Sequence, residues 1–361
     1  MSIKHMEEYR DPHISKGIID NIKQASKKPV RLMEVCGTHT MSIFRSGIRS
    51  LLPDTISLLS GPGCPVCVTA QNEIDTFIEL AKIDNMIVTT FGDLMRVPGT
   101  FSSLQKEHAN GRDIRIVYSS MDALDIAKTN PDKHVVFLGV GFETTAPTIA
   151  ASIYTAKQMN VCNFFVCSAH KLVPPALIAL LETEKTAIDG FILPGHVSVI
   201  IGTDAYLFVL EHYQIPCVVA GFEPADILHA ISMLVKQIET GNPSLENAYM
   251  RAVTPAGNKK AIELMNTVFD TVDATWRGIG IIPASGLKIG KDFSDHDAEH
   301  VFDINVPESR EPRGCACGDI LTGIKIPPEC ALFKKVCTPE DPVGPCMVSS
   351  EGSCAAFYKY Q

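Results

Sequence analysis

Eight short apolar runs constrain this chain more than any other feature. They cover residues 29–36, 56–60, 86–91, 114–119, 134–141, 163–169, 191–195 and 216–222. They are rich in Val, Ile and Phe and do not alternate strictly with polar residues, which is how strands buried on both faces read. Between them lie stretches with helical spacing, such as residues 72–83 and 224–240. Strand–helix alternation of this kind predicts an α/β architecture with small parallel sheets. Taken in chain order, the eight strands fall into two groups of four, each able to form a doubly wound unit. The expected organisation is a first α/β domain over 1–125, a second over 126–240, and a helical and Cys-rich region over 241–361. In that last region, residues 277–287 read as a Gly-rich loop or short strand. The segment 244–272 reads as helical pieces interrupted around 255–257.

In open α/β sheets, ligands bind beyond the carboxyl ends of the strands. The unusual residues of this chain follow the predicted strands, in CGTHT, GPGCPVC, FGD, GFETT, SAHK, PGHVS and GFEP. Turn formation accounts for the glycines and prolines there. It does not account for Cys36, His39, Cys64, Cys67, His170 and His196 in equivalent places.

The net charge of −9 and the lack of a Lys/Arg block argue against sequence-independent nucleic-acid binding. No apolar run approaches the 18 or so residues of a membrane span. The first 20 residues are charged throughout, without an apolar signal core, so a cytoplasmic location is expected. Twelve cysteines then need a chemical role, because clustered thiols in a reducing compartment indicate metal or redox chemistry more often than structural disulfides. Cys162, Cys167 and Cys217 lie in apolar runs and read as ordinary buried residues.

Cys64 and Cys67 form a C-x-x-C just ahead of a helical stretch, whose N-terminus favours thiolate. Cys36 and His39 end a neighbouring strand and could reach the same crevice, with His39 at its edge. Three readings compete: a structural zinc site, a thioredoxin-like redox pair, and a metal site that must exchange its cargo. Six further cysteines, Cys315, Cys317, Cys330, Cys337, Cys346 and Cys354, crowd the last 47 residues among Pro and Gly. Four thiolates would hold an iron–sulfur cluster. Four-cysteine zinc has a similar composition, and disulfides are a third option. Other motifs are weak. Residues 139–144 make a broken dinucleotide fingerprint, and GLKIGKD is not a phosphate-binding loop because its glycines are too close and Asp292 stands where Ser or Thr is needed. Glu143, His170, His196 and Glu223 are each candidates for supporting or acid–base roles.

The motifs MEVCGTHTMSIFRSGIRSLLP, GPGCPVCVTAQ, GFETTAP, LPGHVS, GFEP, RGIGIIPASGL, RGCACGDILTG and the final PPECALFKKVCTPEDPVGPCMVSSEGSCAAFYKY resemble the HypD family of hydrogenase maturation proteins, from about residue 30 to the end. The resemblance implies a scaffold on which iron receives cyanide and CO, giving the Fe(CN)2CO unit of [NiFe]-hydrogenase. It implies a small HypC-type chaperone, a HypE-type cyanide donor supplied by HypF, and a 4Fe-4S cluster near the C-terminus. Cys36, Cys64 and Cys67 match the family's iron-handling cysteines, with His39 nearby. The tail resembles ferredoxin–thioredoxin reductase loosely. On that basis Cys315, Cys330, Cys337 and Cys354 are expected as cluster ligands, and Cys317 and Cys346 as a redox pair serving Cys64 and Cys67. A ferredoxin-dependent thiol–disulfide reductase is the rival function, and a structural zinc protein a third.

Overall fold

The computed structural model describes residues 8–183 and 187–361. Seven of the N-terminal residues read above as lacking a signal core lie outside the described residues. All eight apolar runs form strands: β1 (Val30–Glu34), β2 (Ile56–Ser60), β3 (Met86–Thr90), β4 (Asp113–Ile116), β5 (His134–Gly139), β6 (Phe164–Ser168), and then, after a two-residue β7 (His170–Lys171), β8 (Gly190–Pro194) and β9 (Cys217–Ala220). The remaining strands are β10 (Leu245–Asn247), β11 (Phe269–Trp276) and β12 (Gly280–Ile289). The helices predicted over 72–83 and 224–240 are Gln71–Lys82 and Pro224–Thr240. The second opens on Pro224 and ends on Gly241 at φ 68°, a left-handed stop that glycine adopts without a Cβ penalty.

The strands pair into two parallel sheets, of order β10-β9-β8-β1-β2 and β4-β3-β5-β6, and one antiparallel sheet of order β11-β12-β7. The α/β class with small parallel sheets is therefore as expected, but the grouping of strands in chain order is not. The chain lays down β1 and β2, crosses to build β3 to β6 as the second sheet, and returns to complete the first with β8 and β9. Neither boundary expected near residues 125 and 240 coincides with a change of sheet. The physical reason is that β1 is buried on both faces and needs a neighbour on each edge. β2 covers one edge, in register from Val30↔Ile56 to Glu34↔Ser60, and β8 covers the other. Apolar periodicity encodes the state of each strand and not its neighbour.

Three further expectations change. Of the segment 244–272 only Lys259–Val268 is helical, with β10 and turns before it and the start of β11 after it, because its short apolar stretches pair as strands at sheet edges. Residues 277–287 belong to a long hairpin, β11 with β12, paired from Phe269↔Ile289 to Trp276↔Gly280. Its outer face is exposed, so it lacks the continuous apolar run by which a doubly buried strand is recognised. Cys162 is exposed, in the turn before β6, whereas Cys167 and Cys217 are buried as expected. Among the described residues no helix is long and apolar enough to cross a membrane.

Candidate functional site: two thiol pairs at a sheet junction

β1 ends at Glu34 and the chain turns at Cys36 into the helix Gly37–Arg45. β2 ends at Ser60 and leads through Gly61 and Gly63 to the short helix Pro65–Val68, with Cys64 at its N-terminal cap. Because β1 and β2 are neighbours in register, these two turns lie side by side. The Gly37 amide donates to the Gly63 carbonyl at 2.9 Å. Gly63 packs so closely that a Cβ there would collide with the backbone nitrogen and Cα of Cys36. Cys36 is thus held beside the C-x-x-C.

Cys64 and Cys67 are joined as a disulfide, with Cα atoms 5.2 Å apart. Cys36 is free and buried. Burial, reinforced by the nearby Glu351 carboxyl, pushes its thiol up to about 12, against the easing effect of the His39 and Thr38 amides. Glu34 lies behind it, 1% exposed. One carboxyl oxygen accepts from the Cys36 amide at 3.2 Å, and the other contacts the Thr40 hydroxyl at 2.6 Å. Burial pushes Glu34 up to about 8 despite these bonds, so it is protonated at neutral pH. His39 is fully buried, and burial pulls its imidazole down to about 4. Its Nε2 donates to the Gly221 carbonyl at 2.9 Å, which leaves Nδ1 as a bare, unpartnered lone pair. Phe222 is sandwiched between the rings of His39 and His196, at 4.8 and 3.8 Å.

The Cys-rich tail folds back onto this junction. Thr38 donates to the Glu351 carboxylate at 2.6 Å, and Ser349 donates to Asp93 at 3.0 Å, just beyond β3. A cavity of about 340 Å³ opens between Pro65, Gly92, Asp93, Gly141, Thr145 and Glu351. It sits where β3 and β5, neighbours in the second sheet, are followed in sequence by strands on opposite sides, the switch point at which such sheets take ligands.

All six late cysteines line a second cavity, together with Ile320, Leu332, Phe333 and Met347. The sulfurs of Cys317 and Cys346 are 3.0 Å from one another, and the Cys315 thiol also lies in hydrogen-bond contact with Cys317. Burial, with neighbouring sulfurs, pushes the Cys354 thiol up. Among the described residues no three His, Cys, Asp or Glu side chains close on one point as they would around a single metal ion. Cys64, Cys67, Cys317 and Cys346 belong to one buried cluster with Val68, Trp276 and Leu321. The short helix Pro345–Val348, which carries Cys346, packs against Pro65–Val68, which carries Cys67. The two thiol pairs are therefore neighbours across a dry interface, although some 250 residues separate them in the chain.

The other candidates take supporting places. Glu143 accepts from the Val173 amide at 2.9 Å with one oxygen, its other oxygen is unpartnered, and burial pushes it up to about 7. His170 pairs with Ser168 at 2.9 Å and has an unpartnered Nε2, and burial takes it down to about 3. Glu223 forms a two-bond ion pair with Arg10, tying the N-terminal segment down. Sequence reasoning missed Glu34, Asp93, Glu351 and Arg277. Glu34 carried a signal, a carboxylate closing the inner, fully buried end of β1. The others depend on contacts between segments remote in sequence.

The family model HypD, described as the hydrogenase formation hypA family, matches residues 13–361. The chain is 45% identical to the hydrogenase maturation factor HypD of Rhodobacter capsulatus, covering 99% of this chain and 98% of the relative. The chain belongs to the HypD family of hydrogenase maturation factors. Identity to the Escherichia coli HypD is 43%, over 99% of this chain and 98% of that protein. A putative hydrogenase expression/formation protein of Methanocaldococcus jannaschii is 45% identical over 97% and 98%. The junction of Cys36 with the two thiol pairs is thus a feature of a HypD-family chain matched along nearly its whole length.

Proposed function

We propose that this chain is the scaffold on which iron receives cyanide and CO during [NiFe]-hydrogenase maturation, with Cys36 and the C-x-x-C as the iron-handling thiols. The carrying observation is the placement of Cys36 against a C-x-x-C whose short helix packs on the helix that carries Cys346 of a second thiol pair. Iron that must bind cyanide and CO needs soft donors and open positions, which thiolates provide. A disulfide offers no thiolate, so Cys64 and Cys67 become ligands only after reduction. On this reading Cys317 and Cys346 do this by thiol–disulfide exchange, supported by the packing of their segment on the C-x-x-C helix. The Cys64–Cys67 bond breaks, a Cys317–Cys346 bond forms, and two electrons and two protons pass to the first pair.

The donor set of the tail fits a 4Fe-4S cluster. Four of its six thiols, Cys315, Cys330, Cys337 and Cys354, would hold the cluster and leave the close pair free. The cluster would supply electrons one at a time. The unpartnered Nη2 of Arg277, buried in the same region, fits an anionic group there. Glu34 holds the Cys36 turn through its amide, and His39 presents an unprotonated Nδ1 within the same helix. A small HypC-type chaperone would take the iron cargo from this junction, and a HypE-type partner, supplied by HypF, would deliver cyanide.

The test is infrared spectroscopy of the protein purified anaerobically with its small chaperone. Bands in the cyanide and carbonyl stretching regions, lost in Cys36→Ala, are expected. Their absence, with reduction of the C-x-x-C intact in Cys36→Ala, would instead indicate a ferredoxin-dependent thiol–disulfide reductase, for which Cys36 has no use.

A further inference from the structure

Arg277 is 2% exposed and lies at the tip of the β11–β12 hairpin. Its Nε donates to the Thr69 carbonyl at 2.8 Å and its Nη1 to the Gln71 side-chain oxygen at 2.7 Å. Its backbone amide donates to the Val68 carbonyl at 2.9 Å. All three acceptors are neutral, and Nη2 has no partner. Among the described residues no carboxylate pairs with this guanidinium. A buried cation without a counter-ion is costly, by several kcal/mol in general, and such a group is retained where some other negative charge offsets it.

The six-cysteine cavity is where that charge would be. The next residue, Gly278, at φ 70°, lies so close to Gly318 that a Cβ would collide with the Gly318 Cα. Gly318 follows Cys317 directly, and Trp276, next to Arg277, lies in one buried cluster with Cys317 and Cys346. From Arg277 outward, the hairpin tip thus touches the C-x-x-C helix on one side and the cysteine cavity on the other.

We infer that Arg277 supplies the fixed positive charge that balances an anionic iron–sulfur cluster in the six-cysteine cavity and sets its reduction potential. The inference rests on the cluster reading given above. Four thiolates around such a cluster bring net negative charge into an apolar pocket, and each electron gained adds one more unit. A nearby unpaired cation favours the reduced form, and net charge is one of the determinants of cluster potential.

The experiment is a mediated one-electron titration, with dithionite as reductant, of reconstituted wild type, Arg277→Gln, Arg277→Lys and Gln71→Glu, read by the visible absorbance of the cluster. Gln71 opens the helix Gln71–Lys82, where an acidic residue is tolerated, and Gln71→Glu places a counter-ion against the guanidinium without removing it. Arg277→Gln and Gln71→Glu should each disfavour reduction about tenfold, a fall of about 59 mV for one electron. Arg277→Lys should stay near wild type, since it keeps the charge while losing the hydrogen-bonding fork. A purely structural Arg277 would instead be damaged by Lys and unmoved in potential by Gln71→Glu. If Arg277→Gln loses its cluster, Gln71→Glu alone decides. Unchanged potentials in a wild type that holds a cluster would overturn the inference only. A wild type that takes up no cluster would overturn the cluster reading and the inference together.

Discussion

Replacing Glu34 by Gln should remove a pH dependence that wild-type stability carries. Glu34 is buried at the end of β1, and burial raises it from 4.5 to about 8. A folded-state value above the unfolded one contributes stability that is complete below about pH 4.5 and is lost as pH rises through about 8. At about 1.4 kcal/mol per pH unit, the full loss is about 5 kcal/mol, of which roughly 3 have gone by pH 7. Gln cannot ionise, yet it preserves the local bonding. Its oxygen can accept from the Cys36 amide, and its NH2 can donate to the Thr40 hydroxyl, which reverses the bond that Thr40 gives Glu34 and leaves that hydroxyl to donate to the Cys36 carbonyl. The two proteins should therefore be almost equally stable near pH 4.5. The variant should gain about 1.4 kcal/mol on wild type for each further pH unit, levelling off above pH 8. Urea melts of both proteins at pH 5, 6, 7 and 8, with the Cys64–Cys67 bond kept oxidised, give the difference directly. A difference that stays constant from pH 5 to 8, or a variant less stable at pH 8, would refute the claim that a protonated Glu34 supports the Cys36 turn.

Other outcomes follow from the same geometry. Gly63→Ala should cost about 1–3 kcal/mol, as overpacked sites do, because its Cβ meets the Cys36 backbone, and iron uptake should fall with it in a metal-binding assay. Cys315→Ala should abolish the brown absorbance of reconstituted protein. Cys317→Ser should keep the colour and leave the Cys64–Cys67 disulfide unreduced in a thiol count after dithionite treatment; a colourless Cys317→Ser beside a coloured Cys315→Ala would reverse the two roles. Gel filtration of the chain mixed with its small chaperone at micromolar concentration should give one shared peak, and two separate peaks would count against cargo transfer at this junction.

Much of this was legible from local pattern. The eight strands and the longer helices follow from apolar runs and amphipathic spacing, because the state of a short segment depends mainly on its own residues. Cys36, Cys64 and Cys67 were legible as neighbours for a similar reason: each follows a strand, and strand ends gather on one side of a parallel sheet. What could not be read is every feature that depends on pairing at a distance. The interleaving of β8 and β9 into the sheet of β1 is one such feature, and the contact of Glu351 with Thr38 is another. Arg277 escaped notice because a buried cation is recognised by what surrounds it, and its partners at Thr69 and Gln71 lie more than 200 residues away.

The interleaved topology bears directly on the chemistry. Had the strands grouped in chain order, the ends of β1 and β2 would have faced β3 and β4 within one sheet, and the GFETT segment after β5 would have lain on a separate body. Because the chain returns to complete the first sheet, β1 and β2 end at a junction with the second sheet, whose β3 and β5 ends face the same cavity. The tail packs onto this junction, with Phe357 on Phe44 of the Gly37–Arg45 helix, Cys346 against the C-x-x-C helix, and the Glu351 carboxyl bonded to Thr38 at the Cys36 turn. A disulfide that must open before it can bind metal, a thiol pair able to open it, and a third thiol held in reserve by burial are thus assembled from three remote segments. The fixed charge of Arg277 lies on the seam between two of them. Exchange between thiol pairs proceeds by direct attack of one sulfur on another, and packing of the helices that carry Cys67 and Cys346 in one apolar cluster holds the two pairs close together.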